Sequence, residues 1–245
     1  AASDVYKRQP PEGDDRINAY QFASRLAFFL WSSTPDNILL SAAHRGMLSD
    51  PTVLREQIDR MLNDPRSRAF SENFPDQWLH LNQLGEMPPD PEQNPAYYEN
   101  NLEAAMKEET YQLFRHLLDH NGPIQEFVKS DYTFLNEALA DHYGIPGVNG
   151  DTFQRVALPA ESRRGGLLGH GSVLTVTSNG VETQPVVRGV WIMENLLGTP
   201  PTPPPPDVEP IEPDTRGVST MRELMEKHRN NPTCFESVSY THLTL

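Results

Sequence analysis

From residue 96 to residue 122 the chain reads Ala96-Tyr-Tyr-Glu-Asn-Asn-Leu-Glu-Ala-Ala-Met-Lys-Glu-Glu-Thr-Tyr-Gln-Leu-Phe-Arg-His-Leu-Leu-Asp-His-Asn-Gly122. Leu102, Ala105, Met106, Leu113 and Leu117 recur at three- and four-residue steps, which gathers apolar side chains into one stripe of an α-helix. Asn121-Gly122 supplies the residue types that close a helix in a left-handed cap. The spacing predicts one long helix over about 96–120, and its single stripe calls for other helices to cover it.

Upstream, Phe22, Leu26, Phe29 and Leu30 follow the same period. Thr34-Pro35-Asp36 then offers a cap, a proline at the first helical position and an acid in the first turn. Asp50-Pro51 and Asp64-Pro65 repeat the device, an Asx cap followed by proline. The segments they open carry Val53, Leu54, Ile58, Met61 and Leu62, then Phe70, Phe74, Trp78 and Leu81. Pro75 lies inside the last of these and is expected to kink or break it. Residues 131–144 read as a turn and a short helix ending at Gly144, and Phe153, Val156 and Leu158 as a short extended piece. Short links between successive amphipathic helices favour a helical bundle or an orthogonal helical array.

Past residue 144 the composition changes. Asn179-Gly180 is a turn signal, and Pro185 opens a helix through Val187, Val190, Trp191 and Leu197, dense enough in apolar residues to dock. Pro200 to Pro206 then starts a tract that settles into polyproline II and suits a spacer. The expected fold is mainly α: a helical bundle or array, then a loop-rich segment with one docked helix and a polyproline spacer. The expected organisation is a non-native or disordered tail (1–13), a helical domain (14–143), a glycine-rich loop and docked helix (144–199), a spacer (200–220), a further short segment (221–235) and a second tail (236–245). The two tails read like adapter-derived sequence, so the chain is expected to be a fragment.

Charge narrows the function classes. With 20 basic and 34 acidic residues the net charge is 20 − 34 = −14, which argues against a nucleic-acid binder. No run reaches the roughly 20 apolar residues that cross a bilayer as a helix. One cysteine, Cys234, excludes an internal disulfide.

Several side chains could carry chemistry. His116 and His120 are spaced i,i+4, with Glu109 a further double turn back, the pattern that places metal ligands on one helix face. Lacking a further ligand motif, the histidines are read instead as partners of the helix C-terminal dipole, and no metal is expected. Glu108-Glu109 reads as a solvated helix face, since adjacent helical residues point about 100° apart. Arg163-Arg164-Gly165-Gly166 is a candidate anion site, set against pairing with the chain's many carboxylates. Gly166 and Gly171 have the spacing of a phosphate loop, but Ser172 stands where the lysine is required. His170 beside Ser172 lacks a placed third member of a triad, so no catalytic residue is assigned.

Longer strings carry a family resemblance. Ser24-Arg-Leu-Ala-Phe-Phe-Leu-Trp-Ser-Ser-Thr-Pro-Asp36, Asp131-Tyr-Thr-Phe-Leu-Asn-Glu137, His142-Tyr-Gly-Ile-Pro146 and Arg164-Gly-Gly-Leu-Leu168 belong together. So do Leu174-Thr-Val-Thr-Ser-Asn179, Pro185-Val-Val-Arg-Gly-Val-Trp191, Glu194-Asn-Leu-Leu-Gly-Thr-Pro-Pro201 and His228-Arg-Asn-Asn-Pro-Thr-Cys234. From residue 16 to 234 the chain resembles planctomycete-type secreted proteins that carry the domains of unknown function fifteen-ninety-two and fifteen-eighty-eight and are linked to cytochrome c. The resemblance implies a secreted or periplasmic parent, haem c, electron transfer, and as partners the parent's other domains with a redox partner or polysaccharide.

The family's segment runs on as Cys-x-x-Cys-His, whose thiols form thioethers to haem while the histidine ligates iron. Here Cys234 is followed by Phe235, Glu236, Ser237 and Val238, so Cys234 is a half-site at most and this chain is expected to hold no haem. The alternatives are a polysaccharide-acting hydrolase or oxidative enzyme module, and a protein-interaction module.

Overall fold

A computed structural model describes residues 17–159, 162, 164–201 and 223. Arg163, most of the proline tract, the segment to Cys234 and both tails lie outside the described residues. Ten α-helices and one two-stranded sheet make the described residues mainly α, as the periodicities predict. The chain forms two compact units, Ala1–Val176 and Thr177–Leu245.

In the first unit, α1 (Ala19–Trp31), α2 (Asn37–His44) and α3 (Pro51–Leu62) enclose one core. A capping box opens α1: Gln21 N donates to Asn18 Oδ1 and Asn18 N donates to Gln21 Oε1, each at 2.9 Å. Ala23, Ala27, Leu30 and Trp31 of α1 meet Leu39, Ala42, Ala43 and Met61 in that core. The small alanines let the helices close on Trp31, whose Nε1 donates to Met61 O at 2.9 Å, so the buried indole is satisfied. Asp36, rather than Thr34, caps α2 through Leu39 N at 2.9 Å. Asp36 is also gripped by Arg60 at 2.7 Å, and that second tie places the helix start two residues later than the sequence suggests.

The next helix, α4 (Arg68–Trp78), continues through Pro75. The expected break does not occur. Proline removes one backbone bond, but Phe70, Phe74 and Trp78 pack in succession along the helix, Phe70 and Phe74 meet Phe114, and this ring packing bridges the weak turn. The predicted long helix is divided into α5 (Pro95–Glu99) and α6 (Leu102–Asp119). Asn101 between them sits at φ 49°, a left-handed turn that asparagine tolerates and that ends helical propagation. The far end of α6 closes as predicted: Asn121 is left-handed and Gly122 N donates to Leu117 O at 2.8 Å.

After the short α7 (Gln125–Val128) come β1 (Tyr132–Leu135), α8 (Glu137–Tyr143) and β2 (Gln154–Ala157). The strands pair antiparallel, Tyr132 opposite Ala157 and Leu135 opposite Gln154. All four β1 residues are buried, because β1 packs on α6 while β2 covers its edge. A 3-10 turn at Leu167–Gly169 and α9 (Gly171–Val176) complete the unit.

In the second unit, Ser178 bridges to Thr183 around the predicted Asn179-Gly180 turn. Asn179 Oδ1 accepts from Val181 N and Glu182 N, at 3.1 and 2.7 Å, and pins that turn. Pro185 is the first residue of α10 (Pro185–Asn195). No described helix is long and apolar enough to cross a membrane.

Candidate functional site

The centre of the first unit is polar. Glu109 and Thr110 on α6, Thr133 on β1, and His170 and Ser172 around the start of α9 are each at most 2 % exposed. Thr133 Oγ1 donates to Glu109 Oε1 at 2.5 Å, and Tyr143 OH at the end of α8 donates to Glu109 Oε2 at 2.6 Å. The tyrosine oxygen accepts in turn from Gly171 N at 2.7 Å. Thr110 Oγ1 lies 3.0 Å from His170 Nδ1 and 2.7 Å from Ser172 Oγ. His170 Nε2 has no hydrogen-bond partner among the described residues and stands 3.9 Å from Glu109 Oε1.

Proton accounting fixes the arrangement. Thr110 has one hydroxyl proton and three polar neighbours, of which Met106 O, at 3.4 Å, is the most distant. If Thr110 donates to Nδ1, Ser172 donates to Thr110 and the imidazole proton resides on Nε2, facing the Glu109 carboxylate. The other neutral tautomer would aim an Nε2 lone pair at that carboxylate, lone pair against lone pair. The Nε2–H form is therefore the favoured one. Burial, with Arg164 adding to it, holds the His170 pKa below its ordinary value despite the opposing pull of Glu109. Burial, then the Glu109 charge, pushes the Tyr143 phenol far up.

This yields a pH prediction. The folded-state pKa of His170 is depressed, so the unfolded chain takes the proton more readily. The stabilisation is complete above about pH 6.5 and is lost as pH falls below it, by at most ~1.4 kcal/mol per pH unit. Urea midpoints measured at pH 7 and pH 5.5 are expected to fall further in the parent chain than in His170→Asn, whose Oδ1 replaces Nδ1 as Thr110's acceptor. Equal falls would remove His170 from the account.

Several expectations change here. Glu109 is not part of a solvated face: it points inward at 1 % exposure, while Glu108 takes Arg68 at 3.3 Å and Gln112 at 2.6 Å. Glu109 is accordingly not gathered with His116 and His120. The His116 ring packs against Tyr132 and Phe134, and His120 Nδ1 is 2.9 Å from His116 O in the last turn of α6. Among the described residues no three His, Cys, Asp or Glu side chains form a metal-sized group. Ser172 has no exposed surface, so no substrate reaches its hydroxyl.

The glycines serve close approach. A Cβ on Gly166 would lie 2.5 Å from Val128 C and O, and one on Gly165 would lie 2.5 Å from Ser130 O. A Cβ on Gly171 would meet Tyr143 OH at 2.7 Å. Residues 164–171 thus form a strap laid on the α7–β1 backbone and over the Glu109 network. Arg164, at the head of the strap, stacks its guanidinium 3.7 Å from the Tyr143 ring centre and donates from Nη1 to Gly169 O at 2.9 Å. No described carboxylate pairs with it. A separate cleft of about 290 Å³ lies against Arg68, Glu72, Glu108 and Tyr111, where Arg68 ties both carboxylates.

Strap, network and helices define a class: a mainly α protein whose buried polar centre joins side chains from both sides of a glycine-rich crossing. Residues 17–145 match the family PSD4, Protein of unknown function (DUF1592), and residues 164–239 match PSCyt3, Protein of unknown function (DUF1588). The chain belongs to the first of these families, which spans more than half of it, and carries the second beside it. The names suggest planctomycete cytochrome-c-associated domains. No curated protein and no solved structure matches the chain. Glu109, Thr110, Thr133 and Tyr143 come from the first match, and Gly165, Gly166, His170, Gly171 and Ser172 from the second, yet all lie in one compact unit.

The names raise haem, and the residues present do not fit a covalent one. The single cysteine, Cys234, lies outside the described residues and lacks the second thiol and histidine after it. His170, the most deeply buried imidazole among the described residues, is 2 % exposed and faces Glu109.

Proposed function

We propose that the chain is a helical scaffold module of a secreted or periplasmic, cytochrome-c-associated protein, in which covalent haem and electron transfer belong to other parts of the parent. The observation that carries this reading is the strap: the opening of the second family segment supplies His170 and Ser172 to the polar centre of the first. Residues 164–176 and the first segment, joined in that way, act as one support. The buried groups that resemble catalytic ones, Ser172, His170 and Glu109, are spent on one another and shut from solvent. The name of the second family, with its reference to a cytochrome, supports the haem-linked context.

Pyridine haemochrome absorbance tests it. The chain, and the longest natural reading frame that contains residues 17–234, would each be expressed with periplasmic haem-attachment machinery. The reading predicts covalent haem on the long product and none on the chain. Covalent haem on the chain, or its absence from the long product, contradicts it.

A further inference from the structure

We propose that Arg164 and Tyr143 form a recognition site for a small carboxylate carried on an apolar body. The two residues border an open cavity of about 550 Å³, whose wall also includes Ile145, Ser162, Leu168 and Leu174. That volume suits a small organic ligand. Among the described residues no acidic side chain lines it.

The guanidinium is oriented for such a ligand. Its flat face rests on the Tyr143 ring at 3.7 Å, and Nη1 is engaged by Gly169 O at 2.9 Å. The tyrosine is itself fixed, since its hydroxyl donates to Glu109 and accepts from Gly171 N. What remains is the edge made by Nε and Nη2, two parallel N–H donors that match the two oxygens of a carboxylate. Elsewhere the molecule closes this edge internally. Arg66 places Nε and Nη2 on the two oxygens of Asp64, and Arg68 places its own on Glu72 and Glu108. Arg164 donates from neither atom to any described residue, in a chain of net charge −14 where carboxylates abound. The Ile145, Leu168 and Leu174 side chains beside it provide apolar contact for the rest of the ligand.

The site stands independently of where haem is carried. Isothermal titration of the full chain with phenylacetate and hexanoate tests it, with benzyl alcohol, hexan-1-ol and inorganic phosphate as comparisons. The expected result is saturable binding of both carboxylates, weakened roughly tenfold or more in Arg164→Gln and in Arg164→Lys, which keeps the charge but loses the fork. Ile145→Trp, which fills the cavity and leaves Arg164 in place, is expected to weaken binding as well, and circular dichroism confirms that each variant is folded. Failure of both carboxylates to bind the parent chain overturns the proposal. So do equal affinity for the alcohols or phosphate, or unchanged binding in folded Arg164→Gln.

Discussion

Replacing Glu109 by alanine is expected to destabilise the chain by about 3–5 kcal/mol, among the largest effects of any single side chain in it. The carboxylate accepts from Thr133 at 2.5 Å and from Tyr143 at 2.6 Å, and its Oε1 stands 3.9 Å from His170 Nε2. Removing it strands two buried hydroxyls and takes away the carboxylate that His170 Nε2 faces. A cavity adds to the loss. Glu109→Gln separates these terms. It keeps one acceptor oxygen, but its amide nitrogen confronts a hydroxyl that must turn away, so it is expected to cost about half as much. Urea midpoints at pH 7, with the slope of the transition unchanged, read both values. A loss below about 1 kcal/mol for the alanine variant would mean that the centre relaxes freely and has no organising role.

Gly166→Ala is the second large effect. Gly166 sits at φ 64° and ψ −178°, a region essentially confined to glycine, which by itself costs an alanine about 1–3 kcal/mol. The added methyl would also lie 2.5 Å from the Val128 backbone, which belongs to α7 and has no flexible end to yield. The strap must lift, and with it the Gly166 N bond to Ser130 Oγ at 3.1 Å. A total loss of about 3 kcal/mol or more is expected, with faster proteolytic cleavage near the strap. Gly144→Ala is the comparison: φ is 70°, but nothing lies within 4 Å of the new methyl, so only the backbone cost of about 1 kcal/mol applies. If the two alanine variants were equally stable, the close approach of strap and α7 would not exist.

The contrast between these glycines bears on what a sequence reveals. Asp50 and Asp64 were legible as caps because a cap is a local bond: each carboxylate accepts a backbone N–H two residues ahead. The end of α6 at Asn121-Gly122 was legible for the same reason. Gly166 was legible only as a glycine, since the Val128 backbone that demands it lies 38 residues earlier (166 − 128). The β1 strand escaped because four residues buried on every side show no alternation, and Tyr-Thr-Phe-Leu fits a turn before a helix as well. Glu109 was misread because its neighbour Glu108 does reach the surface, where it pairs with Arg68. Its own partners lie far along the chain, at 133 on β1, 143 on α8 and 170 on the strap, where no local pattern points to them. Arg164 stands out in the sequence before two glycines, but its stacking on Tyr143, 21 residues earlier (164 − 143), does not.

The central claim is that the two family segments share one polar centre, and a double-mutant cycle between Glu109 and His170 tests it most directly. Each residue would be changed to alanine alone and then together, with stabilities read at pH 7. Glu109 lies in the first segment and His170 in the second. Residues in one network give coupling of about 0.5–3 kcal/mol, and the account predicts that the double variant is more stable than the sum of the single losses by about 1 kcal/mol or more. Losses that add to within a few tenths of a kcal/mol would show two segments that fold side by side without sharing a core.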